Sequence, residues 1–191
     1  MATSNGQYFP KDVKIRDGRT ATLRLMGAND KARMLDFARA LPQDDLLFLR
    51  TDITDPQIIE DWIKNLEKGT TITTIAEIHG DLAAYASLHL NEARWTRRVG
   101  EIRVNTGFAY RSVGLGRRLV SEVFEIGRRH GLKKMTAMMT PDQTGARAVF
   151  EKLGFQVEAI LADWVEDRRG QPRDLLVMSH DLEGFSDHLT A

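Results

Sequence analysis

The sequence predicts a mixed α/β fold, one mixed sheet with helices on both of its faces. Three observations lead there. The N-terminal half alternates strand-like runs with two amphipathic helices. The middle holds a strand, a short glycine-bearing loop and a long amphipathic helix, beginning at Glu101. The remainder reads strand, helix, strand, strand.

Taken in order, residues 1–11 read as a disordered lead. Residues 13–16 and 20–26 are strand-like and separated by Asp17-Gly18, a strong hairpin signal. Asn29 or Asp30 can cap a helix to about Ala40, with Ala32, Leu35, Phe37 and Ala38 as its apolar stripe and Pro42 as its stop. Residues 43–50 form a short helix or turn. Thr54 or Asp55 caps the next helix, which has Pro56 in its first turn and Ile58, Ile59, Trp62, Ile63 and Leu66 as apolar positions. Residues 70–78, rich in Thr and Ile, form a strand. After a turn at His79-Gly80-Asp81, Leu82, Ala84, Ala86, Leu88 and Leu90 alternate with Ala83, Tyr85, Ser87 and His89, the pattern of a half-buried strand. Residues 99–106 add another strand, and the series suggests an antiparallel meander.

A long helix over 114–130 presents Leu115, Leu119, Val123 and Ile126, flanked by Val120 and Phe124, and ends at Gly131. Residues 133–139 are a strand. Thr140-Pro141-Asp142-Gln143 resembles a capping box, opening a helix that buries Ala146, Val149, Phe150 and Leu153. Strands at 155–165 and 175–180, joined by the polar turn 167–172, complete one domain over 12–182. Residues 183–191 are a loosely held tail.

Composition narrows the function. A chain of 191 residues, 42% hydrophobic, can bury a sizeable core in one domain. The 27 basic and 27 acidic residues cancel, which argues against nucleic acid or a membrane surface as partner. The absence of cysteine excludes disulfides, thiolate catalysis and cysteine metal sites, and agrees with a cytoplasmic address. No signal-like apolar segment opens the chain, and no apolar run approaches the roughly 18 residues that span a bilayer. The five histidines are scattered, and no metal is expected.

The chemistry centres on Arg111-Ser112-Val113-Gly114-Leu115-Gly116, between a strand and a helix. Glycines there let a backbone approach a ligand, and the first helical N–H groups favour an anion. A tight connection that merely packs well is the plainer reading. Leu119 stands where the dinucleotide fingerprint needs a third glycine, and no Gly-Lys-Ser/Thr marks a Walker loop.

The fuller pattern, Arg-x-x-Gly-x-Gly preceded by a strand that carries Glu101, resembles motif A of the GNAT N-acetyltransferase superfamily. Gln143-Thr-Gly-Ala-Arg-Ala-Val-Phe150-Glu-Lys-Leu-Gly-Phe155 resembles its second signature, with Ala146, Phe150, Lys152, Gly154 and Phe155 in register. The resemblance implies a mostly antiparallel sheet that splays near the motif A loop to admit the pantetheine arm of acetyl-CoA. It implies acetyl transfer to a primary amine of a small molecule, a peptide N-terminus or a lysine, without a metal, and a homodimer is a family-level expectation. A non-catalytic acyl-CoA-binding module of the same fold is the alternative.

Residue by residue, the resemblance makes Glu101 the candidate base. A carboxylate among apolar walls would have a raised pKa, whereas pairing with Arg103 on the same strand face is the plainer alternative. Val104, Asn105 and Thr106 correspond to the strand end that holds the acetyl carbonyl and pantetheine. Ser112, Val113, Gly114, Leu115, Gly116 and Arg117 would cradle the pyrophosphate, with Arg111 adding charge. The sequence departs from the family at Gln143, where the signature has asparagine, and at Phe150, where it has a proton-donating tyrosine. Phe150 can pack on the CoA arm but cannot be the acid, so the thiolate leaves unaided or through water, or Tyr110 or Tyr85 serves. Asp44, Asp45, Asp52 and Asp55 could attract a cationic amine, or simply cap helices and turns. Trp95 and Trp164 could form an apolar wall, but buried packing is the expected reading.

Overall fold

The computed structural model describes residues 8–46 and 49–182, without the side chain of Asp44. Residues 1–7 of the expected lead and the whole expected tail, 183–191, lie outside the described residues. Strand β1 (Lys11–Lys14) already begins within that lead, and the Arg129 guanidinium lies 3.6 Å from the centre of the Tyr8 ring.

The hairpin of β1 and β2 (Thr20–Leu25) turns at Gly18, whose φ of 87° suits glycine. A 3-10 turn leads into α1 (Lys31–Arg39). Its buried series is Met34, Phe37, Ala38 and, just beyond, Leu41, while Ala32 is exposed. The spacing i, i+3, i+4, i+7 through Met34 therefore sets the face, one step from the expected stripe. After α2 (Gln43–Leu46), Asp55 caps α3 (Pro56–Lys68) by accepting from the Gln57 amide at 2.8 Å, and left-handed Gly69 ends it.

Strands β3 (Thr71–Ile78), β4 (Asp81–Leu90) and β5 (Val99–Thr106) continue the antiparallel meander. Helix α4 (Leu115–Arg129), strand β6 (Lys134–Met139), helix α5 (Thr144–Lys152) and the antiparallel pair β7 (Gln156–Glu166) and β8 (Pro172–Asp181) follow. The eight strands run β1-β2-β3-β4-β5-β6-β8-β7, with β5 and β6 the parallel pair. The fold is thus mixed α/β, mostly antiparallel, as the element order predicts.

Two apolar clusters lie on opposite faces of the sheet. Leu119, Val123 and Ile126 of α4 pack with Leu88 and Ile102 on one. Met34 of α1 and Ile59 of α3 pack with Ile75 and Tyr85 on the other. This double cover corrects the half-buried reading of β4: Ala83, Tyr85 and Ser87 are buried as fully as Ala84, Ala86 and Leu88. Buried packing of the tryptophans also fails, although Trp164 borders the cleft described below. Trp95 is 92% exposed in the β4–β5 connection and Trp164 is 65% exposed on the edge strand β7. The capping box is half made: the Gln143 side-chain oxygen accepts from the Thr140 backbone amide at 3.0 Å, but the Thr140 hydroxyl is buried without a partner among the described residues and α5 starts only at Thr144.

Candidate functional site

The sheet opens at one place. β5 pairs with β6 only over residues 99–101 against 134–136, whereas β5 continues along β4 to Thr106 and β6 continues along β8 to Met139. Beyond Glu101 and Thr136 the two strands separate. The cleft that begins there reaches both faces of the sheet and has a volume of about 1570 Å³. That exceeds the roughly 300–1,000 Å³ of a single small-molecule pocket, so two ligands can lie end to end.

Strand alternation decides which backbone groups face the opening. The Gly107 amide donates to Ala83 O at 2.9 Å, so odd-numbered residues of β5 bond to β4. The N–H and C=O of Ile102, Val104 and Thr106 then point toward β6, and past Glu101 that ladder does not continue. Asn105 turns the other way, its amide donating to the Tyr85 hydroxyl at 2.8 Å.

The loop after β5 sits at the cleft mouth. Ser112 has φ 64° and Gly114 φ 85°, two left-handed residues flanking Val113. Gly114 is the N-cap of α4, and the first helical amide bonded back is Arg118 N, to Gly114 O at 3.1 Å. The amides of Leu115, Gly116 and Arg117 are left as the helix's unsatisfied donors, at the positive end of its dipole. A Cβ on Gly116 would meet only the Thr106 hydroxyl, at 3.4 Å, so the space in front of this turn is open toward the end of β5. Free amides, a left-handed turn and an open face fit an anionic phosphate group.

Charge beside the loop comes from two guanidiniums. Arg117 is exposed and makes no ion pair among the described residues. Arg16 reaches in from the β1–β2 turn: its amide donates to Val113 O at 3.1 Å, and its Nε lies 3.4 Å from where a Gly114 Cβ would stand. Arg111 is committed to Asp45 and, through Nε at 3.4 Å, to the Thr106 carbonyl at the end of β5, with Phe108 under its guanidinium at 5.4 Å. Across the mouth, Gln143 is the N-cap residue of α5 and holds the Thr140 turn. Phe150 is 3% exposed and meets Phe155 edge-on at 4.8 Å, so its ring belongs chiefly to the core, although it also borders the cleft.

On the opposite face, Glu101 lies on the cleft floor. It accepts from Arg103 Nε at 2.8 Å and from Arg50 Nη1 at 2.6 Å. Burial pushes its carboxyl pKa up, but the two guanidiniums outweigh burial and leave it lowered. This corrects the expected raised pKa: the walls around Glu101 are cationic, not apolar. Its cross-strand neighbour His89, hydrogen-bonded to the Thr71 hydroxyl at 3.1 Å, is held neutral, with burial foremost and Arg103 next pulling its pKa down to about 4. Burial also pushes the Tyr85 phenol up to about 12, making it a weak acid.

The acidic cluster is largely spent. Asp45 pairs with Arg111, Asp52 with Arg168, and Asp55 caps α3; the Asp44 side chain lies outside the described residues. Among the described residues no group of three or more acidic or histidine side chains could hold a metal ion, and no helix is long and apolar enough to cross a membrane. Arg16 and Arg50 had no local signal in the sequence; the Arg50–Glu101 pair spans 51 positions.

Residues 35–155, more than half of the chain, match the acetyltransferase (GNAT) family. Among solved structures, yncA from Salmonella typhimurium with its cofactor acetyl-CoA superimposes with TM-score 0.76 at 22% identity, covering 90% of this chain and 99% of the other. A GNAT-family acetyltransferase from Streptococcus pneumoniae gives 0.74 at 20%, covering 84% and 99%. A ribosomal-protein-alanine N-acetyltransferase from Brucella melitensis gives 0.73 at 22%, covering 83% and 98%. At these identities the likeness is one of fold.

Proposed function

Because the chain belongs to the acetyltransferase (GNAT) family, we propose that it moves an acetyl group from acetyl-CoA to a primary amine by direct attack on the thioester. The observation that carries this reading is the opening between β5 and β6 with the amides of Leu115, Gly116 and Arg117 at its mouth. Acetyl-CoA, when bound, supplies an activated acyl thioester. The loop from Ser112 to Arg117 holds its pyrophosphate through main-chain donors, and Arg16 and Arg117 add charge. The Val104 backbone, facing the gap, aligns the pantetheine arm and offers an N–H to the acetyl carbonyl, where negative charge develops. Thr106, Gln143 and Phe150 border that arm, and the Thr140 hydroxyl offers a donor that no other described residue uses.

On the far face, Glu101 receives the incoming amine. Its lowered pKa keeps it ionised, so it orients the acceptor nitrogen; the neutral amine attacks the thioester carbon, and Glu101 accepts the proton that the nitrogen sheds as the C–N bond forms and the C–S bond breaks. With Phe150 unable to donate, and Tyr85 a weak acid, the departing thiolate takes its proton from water or from Tyr110 at the cleft wall.

The test is calorimetric titration with acetyl-CoA beside a thiol-release assay with amines. A micromolar-range Kd that survives Glu101→Gln, with release slowed by that change, supports the reading. Binding without release from any amine would favour a non-catalytic acyl-CoA-binding module.

A further inference from the structure

We infer that the acceptor is a small amine that also carries a carboxylate, an amino acid or a close analogue, with the carboxylate seated on Arg103 and Arg50 and the amine on Glu101. This rests on the acetyl-transfer reading and specifies the substrate class for the face of the cleft opposite the loop.

Several polar groups on this face are already satisfied. The Thr73 and Ser87 hydroxyls bond each other at 2.8 Å, and Trp62 Nε1 donates to Thr73 at 3.0 Å. Thr71 is paired with His89, and Asn105 with Tyr85. Spare donors remain on the guanidiniums. Arg103 uses only Nε and Arg50 only Nη1, both on the same carboxylate, so the Nη groups of Arg103 and the other N–H groups of Arg50 have no partner among the described residues. Two planar forks with spare donors beside one cavity are the usual receptor for a carboxylate.

Charge points the same way. Around this end Asp45 is neutralised by Arg111, Asp52 by Arg168, Asp61 by Lys64 and Asp167 by Arg173, and His89 is neutral. Glu101 faces two arginines, so guanidiniums outnumber carboxylates at this point of the floor, while Glu166 stands exposed on the cleft wall beside the β7–β8 turn. A purely cationic amine such as a polyamine would meet the two guanidiniums beside Glu101 and leave their spare donors unused. A zwitterion matches the pattern, because a carboxylate drawn onto Arg50 and Arg103 releases Glu101 from part of its own pairing and lets it turn to the ammonium.

Size follows from what spans the entrance. Arg111–Asp45 ties α2 to the loop after β5, and Arg168–Asp52 ties the α2–α3 segment to the β7–β8 turn. The segment that carries Arg50 is thus anchored at both ends across the acceptor side, which suits a small molecule rather than a folded protein.

The experiment follows CoA release with several α-amino acids, each beside its carboxamide and the amine left after removal of the carboxylate, and with short peptides. Acetyl-CoA binding is measured in the same samples. At least one amino acid should be used with kcat/KM about a hundredfold above its amide and its decarboxylated amine. Arg103→Gln and the more exposed Arg50→Gln should each raise KM for that amino acid about tenfold, leaving KM for acetyl-CoA unchanged. Arg103→Lys should restore only part of the loss, since it keeps the charge and loses the fork. Amides, simple amines or peptides used as well as amino acids would overturn the inference while leaving acetyl transfer intact. Acetyl-CoA binding with no turnover across the panel would also overturn it. Failure to bind acetyl-CoA would sink the underlying reading first.

Discussion

The two glycines of the loop separate a structural role from a ligand-facing one, and substituting each with alanine reads them apart. Gly114 has φ 85°, and a Cβ there meets only Arg16 side-chain atoms at ordinary distances, 3.4 Å and beyond. Its cost is therefore conformational, about 1–2 kcal/mol for a non-glycine residue in the left-handed region. For a domain of this size that lowers Tm by roughly 2–8 °C. Gly116 lies in the first turn of α4 with no positive φ, so alanine relieves backbone entropy there and raises stability by about 0.5–1 kcal/mol at most. Its new methyl group stands in the open space between the free amides and Thr106, where the phosphate seat is proposed. Gly116→Ala should thus keep or raise Tm while weakening acetyl-CoA by tenfold or more, about 1.4 kcal/mol. Thermal melts and calorimetry on both variants give the answer. A Gly116→Ala protein that is more stable and binds acetyl-CoA unchanged would refute the seat.

Three further outcomes are expected. His89 titrates near 4 when folded against an ordinary 6.5, so its neutral form favours the fold. Stability should fall by up to about 3 kcal/mol as pH drops from 6.5 to 4, and denaturant melts of His89→Gln should lack that component. Phe150→Ala should cost about 3–5 kcal/mol, as for other buried phenylalanines, measured by urea unfolding; a change under 1 kcal/mol would show that the ring is not core. Because the Glu101 pKa is lowered, the carboxylate is ionised throughout the neutral range. The kcat/KM profile should therefore rise with the acceptor's own deprotonation and show no acid limb above about pH 4.5, with Glu101→Gln slower by roughly a hundredfold. An inflection between pH 6 and 7 that vanishes in Glu101→Gln would contradict this.

Much of this was legible in the chain because its signals are local. The Asp17-Gly18 hairpin, the Asp55 cap with Pro56, the α4 stripe and the Gly114 helix start are each written within a few residues. What was missed depends on partners distant in sequence. The burial of both faces of β4 follows from helices placed before and after it, and small residues such as Ala83 and Ser87 do not reveal it by periodicity. The insertion of β8 between β6 and β7 is a pairing choice with no local mark. Arg50 converts the expected apolar setting of Glu101 into a cationic one, and Arg16 joins the loop from a turn near the start of the chain. Thr140-Pro-Asp-Gln misled for the opposite reason: half of the capping pattern forms, and the chain still turns before the helix begins.

The most direct measurement is to incubate the protein with acetyl-CoA and a panel of amines headed by amino acids, and to quantify free CoA thiol and N-acetylated acceptor together. The account predicts that CoA and one acetylated amine appear in equal amounts, and that both fall in Glu101→Gln. Tight binding of acetyl-CoA with no acetylated amine from any class would contradict it.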